Sequence, residues 1–150
     1  MKIGLFIPCF MNELYPEVCK ATYKILKNQG LDIDYPLSQT CCGQPMANSG
    51  CAKDVKQLAI SFVNTFKDYD YIVAPSGSCV SMVKEHYSEF FNDDKDYNKV
   101  KASIYEVCEF LHDVIKLENV KFSHSFPYKV GLHNSCHGHR VLKLATASEL

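Results

Sequence analysis

Ile3-Gly4-Leu5-Phe6-Ile7-Pro8-Cys9 is an apolar run stopped by a proline and followed at once by a thiol. A strand that is apolar without alternation is covered on both faces, which is the condition of a parallel sheet. The pattern returns at Tyr71-Ile72-Val73-Ala74, which runs through Pro75-Ser76-Gly77-Ser78 into Cys79. Leu31 to Tyr35 reads as another strand, leading through Pro36 to Cys41-Cys42-Gly43. Helical spacing fills the intervals. Leu14, Val18, Ala21 and Ile25 recur before Gly30, and Val55, Leu58, Ala59, Phe62, Val63 and Phe66 follow the amphipathic template with Asn48 or Ser49 as cap.

Beyond Cys79 the spacing predicts a helix carrying Val80, Val83, Tyr87, Phe90 and Phe91, with Cys79 in its first turn. Asn92 to Lys101 reads as an exposed charged loop. Ser103-x-x-Glu106 reads as a capping box opening a helix with Ile104, Val107, Cys108, Leu111 and Ile115 on one side. Strands alternating with helices of this length predict an α/β fold, a parallel sheet with helices on both faces in a Rossmann-like three-layer arrangement. Glu118 to Tyr128 reads as a linker. After it, Lys129-Val130-Gly131-Leu132-His133-Asn134-Ser135-Cys136 aligns without gaps onto Lys2 to Cys9. Residues 1–128 are therefore expected to form one cysteine-rich unit and 129–150 the start of a truncated second one.

The 150 residues are 47% apolar and 22% charged, a composition that fits one soluble globular core. Sixteen basic and 17 acidic residues leave a net charge of -1 with no basic block, which argues against nucleic acid as a partner. No apolar stretch is long enough for a membrane span. The run after Met1 breaks at Asn12-Glu13 without a cleavage site, so it reads as a strand and not a signal peptide. A cytoplasmic setting is expected, and there eight cysteines point to metal or redox chemistry more than to a disulfide framework.

Cys9, Cys41, Cys42 and Cys79 all lie at carboxyl ends of predicted strands, where parallel α/β sheets collect ligands. Four thiolates satisfy a 4Fe-4S cluster, and amides at the starts of the helices near Met11 and Cys79 would favour its negative charge. Gly43 lets the backbone approach the cluster and adopt positive φ. Zinc is the alternative, since four thiolates also make a tetrahedral site. The spacing lacks the short cysteine knuckles of common zinc sites and leans toward iron–sulfur. A disulfide between adjacent cysteines would be strained.

The arrangement Cys9-x31-Cys41-Cys42-Gly43-x35-Cys79 resembles the cysteine-rich CCG domain found in heterodisulfide reductase, the glycolate oxidase iron–sulfur subunit and the lactate utilization A proteins. Gln39 to Pro45, Pro75 to Cys79 and His133-Asn134-Ser135-Cys136-His137-Gly138 are most similar to the last group. That resemblance implies an iron–sulfur electron-transfer subunit, a non-autonomous component of an oxidoreductase, acting with two partner proteins to oxidise L-lactate to pyruvate. Cofactor binding by Cys9, Cys41, Cys42, Gly43 and Cys79 goes with it. Cys79-Val80-Ser81-Met82 departs from the C-x-x-C of heterodisulfide reductase, which favours an ordinary four-cysteine cluster over a five-cysteine one. The competing readings are a disulfide-reducing subunit and a zinc-stabilised interaction module.

The other cysteines carry ordinary expectations. Cys19, Cys51 and Cys108 read as packed small residues. His133, His137 and His139 around Cys136 read as a polar mouth for the second unit, while His86, His112 and His124 lie among charges and need no role.

Overall fold

A computed structural model of the chain describes residues 1–116, 126–131, 133 and 135–142, with the backbone alone at 139. The strands are β1 (Lys2–Leu5), β2 (Asp32–Asp34), β3 (Tyr71–Ala74) and β4 (Ile104–Glu106). Between the first three run α1 (Cys9–Leu14), α2 (Pro16–Asn28), α3 (Gln44–Asn48) and α4 (Ala52–Phe66). Helix α5 (Gly77–Ser81) widens into a π-type turn at Met82–His86 and tightens at Tyr87–Glu89, and α6 (Lys95–Ser103) precedes β4. Helix α7 (Val107–Glu109) continues as a wide turn over Phe110–Lys116, and a last helical turn spans His137–Val141.

All strands pair in parallel, in the order β2-β1-β3-β4. The chain steps from β1 outward to β2 and then returns to the far side of β1 for β3. Strand order therefore reverses between β1 and β3, the place where open α/β sheets form a crevice beyond their carboxyl ends. Cys9 follows one of these strands and Cys79 the other.

Successive strand residues serve opposite faces. Ile3, Leu5, Ile7 and Val73 join Leu26, Ile33 and Phe110 in one core, while Phe6, Ile72 and Ala74 join the helices on the other side. There Phe6 meets Phe62 edge-on with ring centres 4.9 Å apart, and Phe62 in turn meets Tyr87 at 5.9 Å. Helices thus cover both faces of the sheet, as the unbroken apolar strands predict. No helix among the described residues is long and apolar enough to cross a membrane.

Several sequence expectations are corrected. Asn92 to Lys101 is not a loop: Asp94 accepts a hydrogen bond from the Tyr97 N–H at 2.8 Å and caps α6, which buries Tyr97 and Val100. Two apolar residues among charges suffice because Tyr97 stacks on Phe91 at 4.8 Å. Ser103 closes α6 instead of opening a helix, its hydroxyl donating to Lys99 O at 2.7 Å. The next three residues form β4, and the capping box shifts to the reciprocal pair Glu106 and Glu109. That later start leaves Cys108 exposed, not in the core.

Asn48 and Ser49 end the short helix α3, and α4 begins at Cys51, which gives no side-chain cap. Cys51 is also exposed. Cys19 is half-buried against the second core. Leu14, Val18 and Ile25 do not form the buried stripe of one helix. Tyr15 breaks the run, Pro16 begins α2 afresh, and Thr22 and Leu26 face the core. Most of the expected linker from Glu118 to Tyr128, with His124, lies outside the described residues, as do Leu132 and Asn134 of the aligned second segment.

Gly4 lies on β1 with no room for a side chain. A Cβ there would lie 3.0 Å from both Phe66 Cδ1 and Tyr69 Cγ. Gly4→Ala is expected to destabilise the domain by about 1–3 kcal/mol through overpacking, measured by urea denaturation.

Candidate metal centre

Three loops at the carboxyl edge deliver the four predicted thiols. Pro8 ends the first strand and its carbonyl accepts from the N–H groups of Met11 and Asn12, which turns Cys9 into the opening of α1. After β2 the chain runs through Pro36 to Cys41-Cys42, and Gly43 then adopts φ +85 to enter α3. A side chain at Gly43 would be strained by that left-handed conformation, although its Cβ would meet Val55 Cγ1 only at an ordinary contact distance of 3.4 Å. After β3, Ser76 caps α5 by accepting from the Cys79 N–H at 3.5 Å, as expected for a thiol in a first helical turn.

The sulfurs form a connected chain. Cys9 Sγ lies 3.3 Å from Cys41 Sγ, and the Gly43 N–H donates to Cys41 Sγ at 3.3 Å. Cys42 hydrogen-bonds to both Cys41 and Cys79. All four thiols line one cavity of about 380 Å³, shared with Phe10, Gln44 and His137. Cys42 and Cys79 are buried, Cys41 is half-buried and Cys9 is exposed.

Hydrogen bonding divides the set into donors and acceptors. The Cys42 thiol, with help from Gly43 N–H and Cys9 and against the cost of burial, lowers Cys41 from 9.0 to about 5. Cys79 is also lowered, first by Cys42 and then by Ser76 and Ser78, against burial. Cys42 is raised because it donates to both neighbours and is buried. Burial, then donation to Cys41, raises Cys9 to about 11.

Among the described residues, no three His, Cys, Asp or Glu side chains converge on a single-ion site. The four thiols instead surround a volume. Met82 packs in the core and lines a neighbouring cavity of about 280 Å³, not the thiol cavity. Cys136 is exposed.

Three residues at this edge make contacts that the sequence does not announce. Tyr87, fully buried, donates from Oη to Cys42 O at 2.9 Å and so holds the cysteine pair from beneath. Gln39 bonds to the end of β1. His137 lines the thiol cavity, with Nε2 3.4 Å from Gln44 Nε2. Its position beside Cys136 in the sequence hides this, because the turn carrying it packs across α5: a Cβ on Gly77 would lie 3.6 Å from Gly138 Cα.

Fold and site together define a doubly wound α/β domain that gathers thiols at the reversal of its strand order. The family model for the CCG cysteine-rich domain matches residues 3–84, and the chain belongs to that family. Among its relatives, lactate utilization protein A of Geobacillus thermodenitrificans is 41% identical, over 95% of this chain and 60% of that protein. Lactate utilization protein A of Geobacillus kaustophilus is 40% identical, over 98% and 62%. The protein of the same name from Halalkalibacterium halodurans is 40% identical, over 95% and 59%. The chain therefore spans about 60% of the length of these relatives. No solved structure matches it.

Two outcomes follow from the geometry. Tyr87→Phe leaves the buried Cys42 carbonyl without its donor and is expected to cost about 1–3 kcal/mol in urea denaturation. In reduced, metal-free protein, iodoacetamide is expected to label Cys41 at a rate that rises through about pH 5, while Cys9 stays slow below about pH 11. Peptide mapping across pH checks this, and a Cys41 rate rising only near 9.0 contradicts it.

Proposed function

We propose that Cys9, Cys41, Cys42 and Cys79 hold a 4Fe-4S cluster and that the domain is an electron-transfer component of a cytoplasmic system that oxidises L-lactate to pyruvate with two partner proteins. The observation carrying the cluster is the convergence of four thiols from three loops on one cavity. Thiolate is the usual ligand of such clusters, and four complete the set. A zinc ion draws its thiolates to about 2.3 Å around a single point. A cavity of about 380 Å³ walled by thiols suits a multi-atom cluster better.

Bound there, the cluster would supply reversible electron storage. The chain's own residues hold and shield. Buried Cys42 and Cys79 anchor the inner side, and the Gly43 N–H directed at Cys41 Sγ favours negative charge on that sulfur. Exposed Cys9 leaves the outer side open to a redox partner. The disulfide-reducing reading has less support, because Met82 stands where a fifth cysteine would be needed and its thioether packs in the core. For the physiological setting, the support is the relatives' names, which refer to lactate utilization.

Anaerobic reconstitution with ferrous iron and sulfide is expected to load about four of each per chain. Changing Cys9, Cys41, Cys42 or Cys79 singly to Ser should sharply reduce that loading, whereas Cys19→Ser and Cys108→Ser should not. Protein that takes up only zinc overturns the proposal. Reduction of the loaded protein by lactate in the presence of the partner proteins tests the second half.

A further inference from the structure

Strand β2 ends before its neighbour does. The register pairs Lys2 with Asp32, Ile3 with Ile33 and Gly4 with Asp34, so continuing it sets Phe6 opposite Pro36. Proline has no N–H to give. In a parallel ladder, the residue opposite Phe6 would donate to Leu5 O and accept from the Ile7 N–H.

The Gln39 side chain does both. Its Nε2 donates to Leu5 O at 3.1 Å, and its Oε1 accepts from the Ile7 N–H at 2.7 Å. The same Nε2 donates to Pro36 O at 3.1 Å, which ties the amide to the turn that carries it. A side-chain amide thus stands in for the peptide that Pro36 cannot provide.

Position gives this clamp its consequence. Ile7 lies two residues before Cys9, and Gln39 lies two residues before Cys41. The clamp joins the two loops at the last point before their thiols meet at 3.3 Å. Gln39 itself is not among the residues lining the thiol cavity. We propose that Gln39 is a positioning residue of the thiol site, a surrogate strand peptide that sets the spacing of Cys9 and Cys41. Its importance for a cofactor rests on the cluster reading above, but the spacing itself is measurable without metal.

Gln39→Leu keeps most of the volume and removes all three hydrogen bonds, while Gln39→Glu keeps an acceptor for the Ile7 N–H alone. Tyr69→Phe serves as control, because it removes a hydrogen bond to Asp34 on β2 away from the thiols. Each reduced, metal-free protein is treated with diamide, which takes two hydrogens from a thiol pair, and the Cys9–Cys41 disulfide is followed by peptide mass spectrometry. Gln39→Leu is expected to form it about tenfold more slowly than the unaltered chain, with Gln39→Glu between and Tyr69→Phe unchanged. Circular dichroism and thermal melting confirm that each variant is folded. Should Gln39→Leu not fold, the comparison rests on Gln39→Glu.

Cross-linking of folded Gln39→Leu at the unaltered rate, or equal slowing in Tyr69→Phe, overturns the proposal. Failure of the unaltered chain to load iron and sulfide overturns the cluster reading and leaves the clamp standing if the cross-linking rates separate as expected. Normal loading with identical cross-linking rates does the reverse.

Discussion

Strand order reverses between β1 and β3, and that reversal brings the cysteines together. On a sheet wound in one direction, consecutive loops at the carboxyl edge would lie side by side, and Cys9 and Cys79 would be separated by an intervening strand. With β3 beside β1, the loops carrying these two thiols become neighbours, and the loop after β2 closes the third side. The reversal needs helices on both faces, and the strands are apolar on both faces accordingly. The composition of β1 and β3 and the meeting of the four thiols are thus linked consequences of one winding.

Burial of thiols beside a core creates an electrostatic demand that local hydrogen bonds meet. Cys42 lies in the same cluster as Phe62, Val80 and Tyr87, an environment that disfavours a charged sulfur. Hydrogen bonds accepted from Cys42 instead lower the pKa of Cys41 and Cys79. Tyr87 belongs to this arrangement through the backbone: its hydroxyl fixes the Cys42 carbonyl while its ring packs against Phe62. Core packing and thiol placement share that side chain.

The sheet and the four thiols were largely legible because their signals are local. Unbroken apolar strands followed by cysteine mark β1 and β3, and the long amphipathic period marks α4. What escaped depends on contacts between distant segments. Strand β4 has only three residues, and its Ile104 reads equally well as the first apolar position of a helix until β3 pairs with it. Helix α6 hides two buried residues among charges. Cys108 follows from the same shift, since moving the helix start turns the cysteine away from the core. His137 and Gln39 are legible only once the segments they reach are in place, because nothing in their immediate neighbours indicates a partner about 90 or 30 residues away.

Exposure is graded across the thiol set, and the gradient has a structural cause. Cys42 and Cys79 sit where α4 and α5 seal the sheet, whereas Cys9 begins a six-residue helix that buries only Met11. The thiol side facing the core is therefore fixed by packing, and the side facing solvent is fixed by hydrogen bonds, chiefly Gly43 N–H to Cys41 and the amide of Gln39 to β1. Such a division leaves the thiol cavity open on its outer side while the core stays closed. It also places the cost of misalignment on a few polar contacts, so the geometry of the open side is adjustable by single residues while the inner side follows the fold.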